Sequence, residues 1–182
     1  IFERTYYTGG WAASIDGTID IPEDLSNYNK LEVELLRGCP NADMNYDDAG
    51  CDDYDRIARL YFCDSDGSNC YEIAKWITPF DRQPHSLTNI TPFLSSFKSS
   101  EGENKILRFQ ESGWPNSLLT LRLRFYEGDT STGTPQEIYP LWNGTVQFNP
   151  EYDENRPVNV FSVPSNATKV EFVSYITGHG WG

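Results

Sequence analysis

The segment Leu119-Thr120-Leu121-Arg122-Leu123-Arg124-Phe125 alternates apolar and polar at every position. Only an extended strand, whose side chains point to opposite faces in turn, sorts such a pattern into one apolar face and one wet face. Leu31-Glu32-Val33-Glu34-Leu35 repeats the pattern, and Ile106-Leu107-Arg108-Phe109-Gln110-Glu111 alternates from Leu107 on. Ile57-Ala58-Arg59-Leu60-Tyr61-Phe62 reads as a core strand, and Tyr71-Glu72-Ile73-Ala74-Lys75-Trp76-Ile77 as a strand ended by Pro79. Gly9-Gly10 and Asp16-Gly17 are turn dipeptides, and Ile19-Asp20-Ile21-Pro22 closes a strand at its proline. Helical periodicity is weak throughout, so the chain is expected to be all-β and of sandwich type.

Turn-forming Gly, Ser, Thr, Asp and Pro concentrate over 128–136, the expected linker. Residues 1–127 precede it as one domain, and strands are expected again near 138–148, 157–163 and 169–176. With 38% hydrophobic and 14% aromatic residues, 182 residues suffice for real cores and exclude global disorder. A formal net charge of −13 argues against nucleic acid and anionic membranes as partners. No apolar run approaches the ~18 residues of a bilayer span. No charged-then-apolar leader precedes Ile1, so a signal peptide is expected to be absent or removed.

Cys63 and Cys70 bracket the turn formers Asp66-Gly67, as two strands clamped by sulfur at a hairpin tip would. Cys39 would then pair with Cys51. Four cysteines allow three connectivities, and this one closes two short self-contained loops. Two disulfides and the sequons at Asn89, Asn143 and Asn166 point to a secreted or extracytoplasmic setting, with glycosylation possible at those asparagines.

From Asp43 to Asp55 there are six aspartates, with no basic residue between Arg37 and Arg56. Carboxylates packed this densely repel one another unless a cation or substrate offsets the repulsion. Asp43-x-Asn45-x-Asp47 matches the first positions of a calcium loop, but Asp48 stands at the turn glycine and Tyr54 at the bidentate glutamate. A bound cation stays open, and no metal is assigned. His85 and His179 are too few for an imidazole-based centre, and His85 reads as solvated in a polar loop. Hydrolytic chemistry would therefore fall to carboxylates. Asp55, at the mouth of a strand beside Arg56, suits a catalytic or ligand-orienting role, though an ordinary loop ending in a surface ion pair looks the same. Glu111 ends its strand before Ser112-Gly113-Trp114-Pro115, which fits a sugar site with an indole for the pyranose face, though an exposed acid beside a core tryptophan is the simpler reading of these residues alone.

The order of these pieces resembles the peptide-N-glycosidase F family, amidases that remove N-linked glycans. Cys39-Pro40-Asn41, Cys51-Asp52-Asp53-Tyr54-Asp55-Arg56, Tyr71 to Pro79, Gln110-Glu111 with Trp114 after it, and Ile176-Thr177-Gly178 carry the resemblance. It implies two jelly-roll domains, Asp55, Arg56 and Glu111 as catalytic residues, no cofactor, and a glycosylated peptide or glycoprotein as substrate. Tyr54, Trp114, His179 and Trp181 would contact that substrate. The loop between Cys39 and Cys51 is longer than the family's, Trp114 lies one residue further from Glu111, and 137–182 would begin a second domain completed by a C-terminal segment or a second chain. Without that completion, a glycan-binding or surface assembly module of the same fold is the alternative.

Overall fold

The computed structural model describes residues 1–39, 51–113, 116–129, 134–142, 144 and 146–177. Eight strands form there: β1 (Phe2–Tyr7), β2 (Gly10–Asp20), β3 (Tyr28–Gly38), β4 (Ile57–Cys63), β5 (Tyr71–Ile77), β6 (His85–Asn89), β7 (Asn104–Gly113) and β8 (Ser117–Glu127). They make two four-stranded antiparallel sheets, ordered β1-β8-β3-β6 and β2-β7-β4-β5. The alternation explains the packing. Leu31, Val33 and Leu35 of β3 and Leu119 and Leu121 of β8 face Leu60 and Phe62 of β4 and Leu107 and Phe109 of β7 in one buried core. A 3-10 turn, Thr91–Phe93, leads into helix α1 (Leu94–Lys98), whose Leu94 and Phe97 join that core. Five residues are too few to register as helical periodicity in the sequence.

Both expected disulfides are present. Cys63–Cys70 clamps the β4–β5 hairpin, with Gly67 at φ +80° in its tip, and Cys39–Cys51 ties the end of β3 to the segment before β4. Three local expectations fail. Asp16-Gly17 is no turn: it lies inside β2, paired with Arg108 and Leu107. Its glycine is needed for space, because a Cβ there would meet Ile1 Cγ2 at 2.7 Å and Phe2 Cζ at 3.0 Å. His85 is exposed as expected, yet it lies in no loop: it starts β6, with Nε2 2.8 Å from Glu34 Oε1. And no strand forms among the described residues of 134–177, where the one regular element is the short α2 (Tyr152–Asn155). A strand exists only when a neighbour takes up its backbone N–H and C=O groups, and none of these segments is paired in a ladder. This stretch touches the sandwich through Tyr175, whose ring stacks on Phe93 and whose hydroxyl donates to Asn89 O at 2.8 Å, and through Gly144 O, which accepts from Lys75 Nζ at 3.1 Å.

The polar face of β3 is not wet either. Glu32 and Glu34 are nearly covered by Lys30, Tyr126, Arg122, Arg124 and His85. The hydrogen bond from Arg124, then those from His85 and Arg122, hold the Glu34 carboxyl down at about 2 against the cost of burial. Its folded pKa lies below the unfolded value, so its stabilisation is complete above the ordinary glutamate range. That stabilisation is lost as pH falls from about 4.5 towards about 2. The shift has a ceiling of about 3 kcal/mol, and the half-exposed cations reduce it by screening to ~1 kcal/mol. Urea unfolding of Glu34→Gln across this range should show a deficit of that size at neutral pH that vanishes at the acid end.

Candidate active site

The inward column of β7 runs Leu107, Phe109, Glu111, Gly113, so the pleat that builds the core also drives a carboxylate into it. β3 does the same from the opposite sheet: Leu31, Val33 and Leu35 are followed on the same face by Arg37. The two meet at one end of the sandwich. Arg37 Nε donates to both Glu111 oxygens at 2.8 Å, and Nη2 lies 2.7 Å from Oε1. Each residue is 1% exposed. Beneath them the Tyr7 hydroxyl accepts from the Glu111 N–H at 3.1 Å and donates to the carbonyl of Ala13; burial pushes this phenol up to about 12.

The segment before β4 brings a second acid to the same place. Cys51 is anchored by its disulfide to Cys39, immediately after β3, and Asp52 next to it is 4% exposed. Arg56 grips Asp52 with Nε on Oδ2 at 2.7 Å and Nη2 on Oδ1 at 3.2 Å, and the Tyr54 N–H donates to Oδ1 at 3.1 Å. The turn after β5 completes the clamp: the Arg56 N–H donates to Thr78 Oγ1 at 2.8 Å, and the Asp81 N–H to Asp52 O at 2.9 Å. The two carboxylates converge on Gly113, where a Cβ would sit 2.9 Å from Glu111 Oε1 and 3.3 Å from Asp52 Oδ2.

Electrostatics follows this geometry. Burial pushes the Glu111 carboxyl above the ordinary glutamate range; Arg37 pulls it down, Asp52 pushes it up, and Arg56 pulls it down again. Arg56 is held charged chiefly by its hydrogen bonds to Asp52, with Glu111 and Asp55 adding to the field. Asp55 stands half-buried at the entrance to β4. Tyr54 is 54% exposed on the rim, its ring 5.3 Å from the Arg56 guanidinium carbon.

Glu111, Arg56 and Tyr54 come to one end of the sandwich, with Asp55 immediately before Arg56 in the chain. The sequence paired Arg56 with Asp55; in the structure its Nε and Nη2 are on Asp52. Arg37, Asp52 and Tyr7 were missed. A signal for Arg37 existed, an arginine continuing an apolar column in strand register, where a buried charge demands a buried partner. Trp114, His179, Trp181 and Asn143 lie outside the described residues, as does the acidic loop from Asp43 to Asp48. Asn89 and Asn166 are exposed. Among the described residues no group of three His, Cys, Asp or Glu could hold a metal ion, and no helix is long and apolar enough to cross a membrane.

No protein-family profile matches the chain. Peptide-N(4)-(N-acetyl-beta-D-glucosaminyl)asparagine amidase F of Elizabethkingia miricola is 25% identical over 192 aligned positions, covering 98% of this chain. The chain resembles the peptide-N-glycosidase F family. It spans 50% of that relative's length. Two solved structures share the fold: recombinant peptide N-glycanase F, with a TM-score of 0.52 at 22% identity, and PNGase F from Flavobacterium meningosepticum, with 0.52 at 23%. Each match covers 76% of this chain and 42% of the solved one. The paired β-sheets are therefore similar in fold to the β-sandwich of peptide-N-glycosidase F, and the two disulfides suit an oxidising compartment.

Proposed function

We propose that this chain is an amidase, or the site-bearing part of one, acting on N-glycosylated peptides or glycoproteins. Water would add to the asparagine side-chain carbonyl, the amide Cγ–Nδ2 bond would break, and the nitrogen would leave protonated, still bonded to the sugar, as a glycosylamine. Asparagine would become aspartate. The reaction needs water and no cofactor. The observation that carries the reading is the acid cluster at one end of the sandwich: Glu111 on Arg37, Asp52 on Arg56, and Asp55 at the entrance. The likeness to peptide-N-glycosidase F supports it.

In this reading Asp55 positions or activates the attacking water. Arg56, oriented by Asp52, binds the amide or a sugar hydroxyl, and Glu111 presents a fixed charge to the group or water beside it. Tyr54 offers its exposed face to a pyranose, with Trp114, His179 and Trp181 as further substrate contacts. Apolar side chains along 137–177, such as Val160 at 93% exposure, are consistent with a second domain that further protein covers, from a C-terminal segment or a second chain.

Incubation with a denatured glycoprotein, read by mass spectrometry, should show glycan release and aspartate at each freed site. Asp55→Asn should lower kcat/KM by about 10²–10⁴-fold. Product formation unchanged by Asp55→Asn would remove Asp55 from the mechanism. No product, with the partner segment supplied, would refute the amidase. Glycan binding without product would point instead to a non-catalytic module, a reading favoured by the complete burial of Glu111 against Arg37.

A further inference from the structure

We infer that Arg37 is a positioning residue of this site: reaching from the opposite sheet, it fixes the Glu111 carboxylate in a single orientation facing Asp52 and Arg56. The inference rests on the amidase reading for its catalytic half and on geometry for the rest. A carboxylate anchored through one oxygen can rotate about its terminal torsion. Here the Nε–H is shared between both oxygens, and Nη2 adds an ion-pair contact 2.7 Å from Oε1 without hydrogen-bond geometry, so one guanidinium holds both oxygens. The anchor comes from β3 and the acid from β7, strands of different sheets, so the pair also sets how the sheets meet at this end.

Stability alone is a poor reason for such a pair. A fully buried ion pair gains little or nothing over an apolar pair of equal volume, because two desolvated charges offset their own attraction. Its inward neighbours on the two columns, Leu31, Val33, Leu35, Leu107 and Phe109, are apolar, and the pair stands where those columns reach the acid cluster. Its position fits a site that needs a charge held still.

Each group facing Glu111 has an identifiable effect. From β3 comes Arg37, from the segment before β4 come Asp52 and Arg56, and from β1 comes the Tyr7 hydroxyl on its main chain. Without Arg37, burial and Asp52 would both favour a protonated Glu111, opposed by an Arg56 already engaged by Asp52. The acid would then titrate during the reaction and be free to turn.

The test compares wild type, Arg37→Met and Arg37→Lys in the full protein by two readouts. Carboxyl-carbon NMR titration of labelled glutamate, assigned with Glu111→Gln, needs no turnover. Glu111 should titrate at higher pH in Arg37→Met than in wild type, with Arg37→Lys between them. On a glycopeptide, kcat of Arg37→Met should fall about 10²-fold at neutral pH with KM little changed, then recover partly as pH rises; Arg37→Lys should restore most of the rate. Should Arg37→Met fail to fold, Arg37→Lys carries both readouts with smaller shifts. A Glu111 titration the same in all three proteins overturns the positioning. A uniform rate loss with an unaltered pH profile overturns its catalytic part. A wild type that releases no glycan refutes the amidase reading, while the titration still decides whether Arg37 governs Glu111.

Discussion

Glu111→Leu is expected to cost about 3–5 kcal/mol of stability, because it leaves the Arg37 guanidinium buried without a counterion. The penalty belongs to the unpaired charge and not to a lost contact. The double variant Arg37→Met/Glu111→Leu should therefore recover most of the loss, leaving an interaction energy well above the few tenths expected of independent sites. Equilibrium urea unfolding of the four proteins measures this cycle. Single variants each costing under about 1 kcal/mol, or a double variant equal to the sum of the two, would mean that water reaches the pair and that the end of the sandwich is more open than its burial indicates.

Gly113→Ala should nearly abolish activity with a smaller effect on stability. The added methyl would lie 2.9 Å from Glu111 Oε1, 3.3 Å from Asp52 Oδ2 and 3.5 Å from Arg56 Cγ. Side-chain ends usually yield to such a contact, but these are held: Oε1 by the Nε–H of Arg37 with Nη2 in ion-pair contact, Oδ2 by Arg56. Overpacking of this kind costs about 1–3 kcal/mol. A displacement of about 1 Å at the acids should lower kcat on a glycopeptide by about 10²-fold or more. Wild-type turnover in Gly113→Ala would show that the convergence of the two carboxylates is not part of the catalytic arrangement. A rise in KM alone would move Gly113 to the binding surface.

Much of this molecule was legible from residue order, for physical reasons. The two-residue period of the pleat made Leu31 to Leu35 and Leu119 to Phe125 identifiable as strands and their apolar members as core. Cysteine spacing around a turn yielded Cys63–Cys70, and the remaining pair, closing a short loop, yielded Cys39–Cys51. The sandwich followed; the grouping of Asp55, Arg56 and Glu111 came from the family resemblance and not from the strand pattern. Local signals failed where distant partners decided the outcome. Asp16-Gly17 has the composition of a turn, yet it runs straight through β2 because Arg108 and Leu107 of β7 pair with it, with Ile1 and Phe2 packed over its glycine. Segments beyond 137 have strand-like composition, but composition supplies no partner for their backbone groups.

The same division holds at the site. Residue order by itself determined an all-β chain with two disulfides and a carboxylate at the end of an alternating strand, since side-chain direction in a strand depends only on position along it. What that carboxylate meets was decided by tertiary structure. Arg37 lies 74 residues away in sequence, on the other sheet, and Asp52 arrives through a disulfide. Pairing across a sandwich depends on how two sheets stack, and a buried charge takes whatever opposite charge that stacking brings within 3 Å.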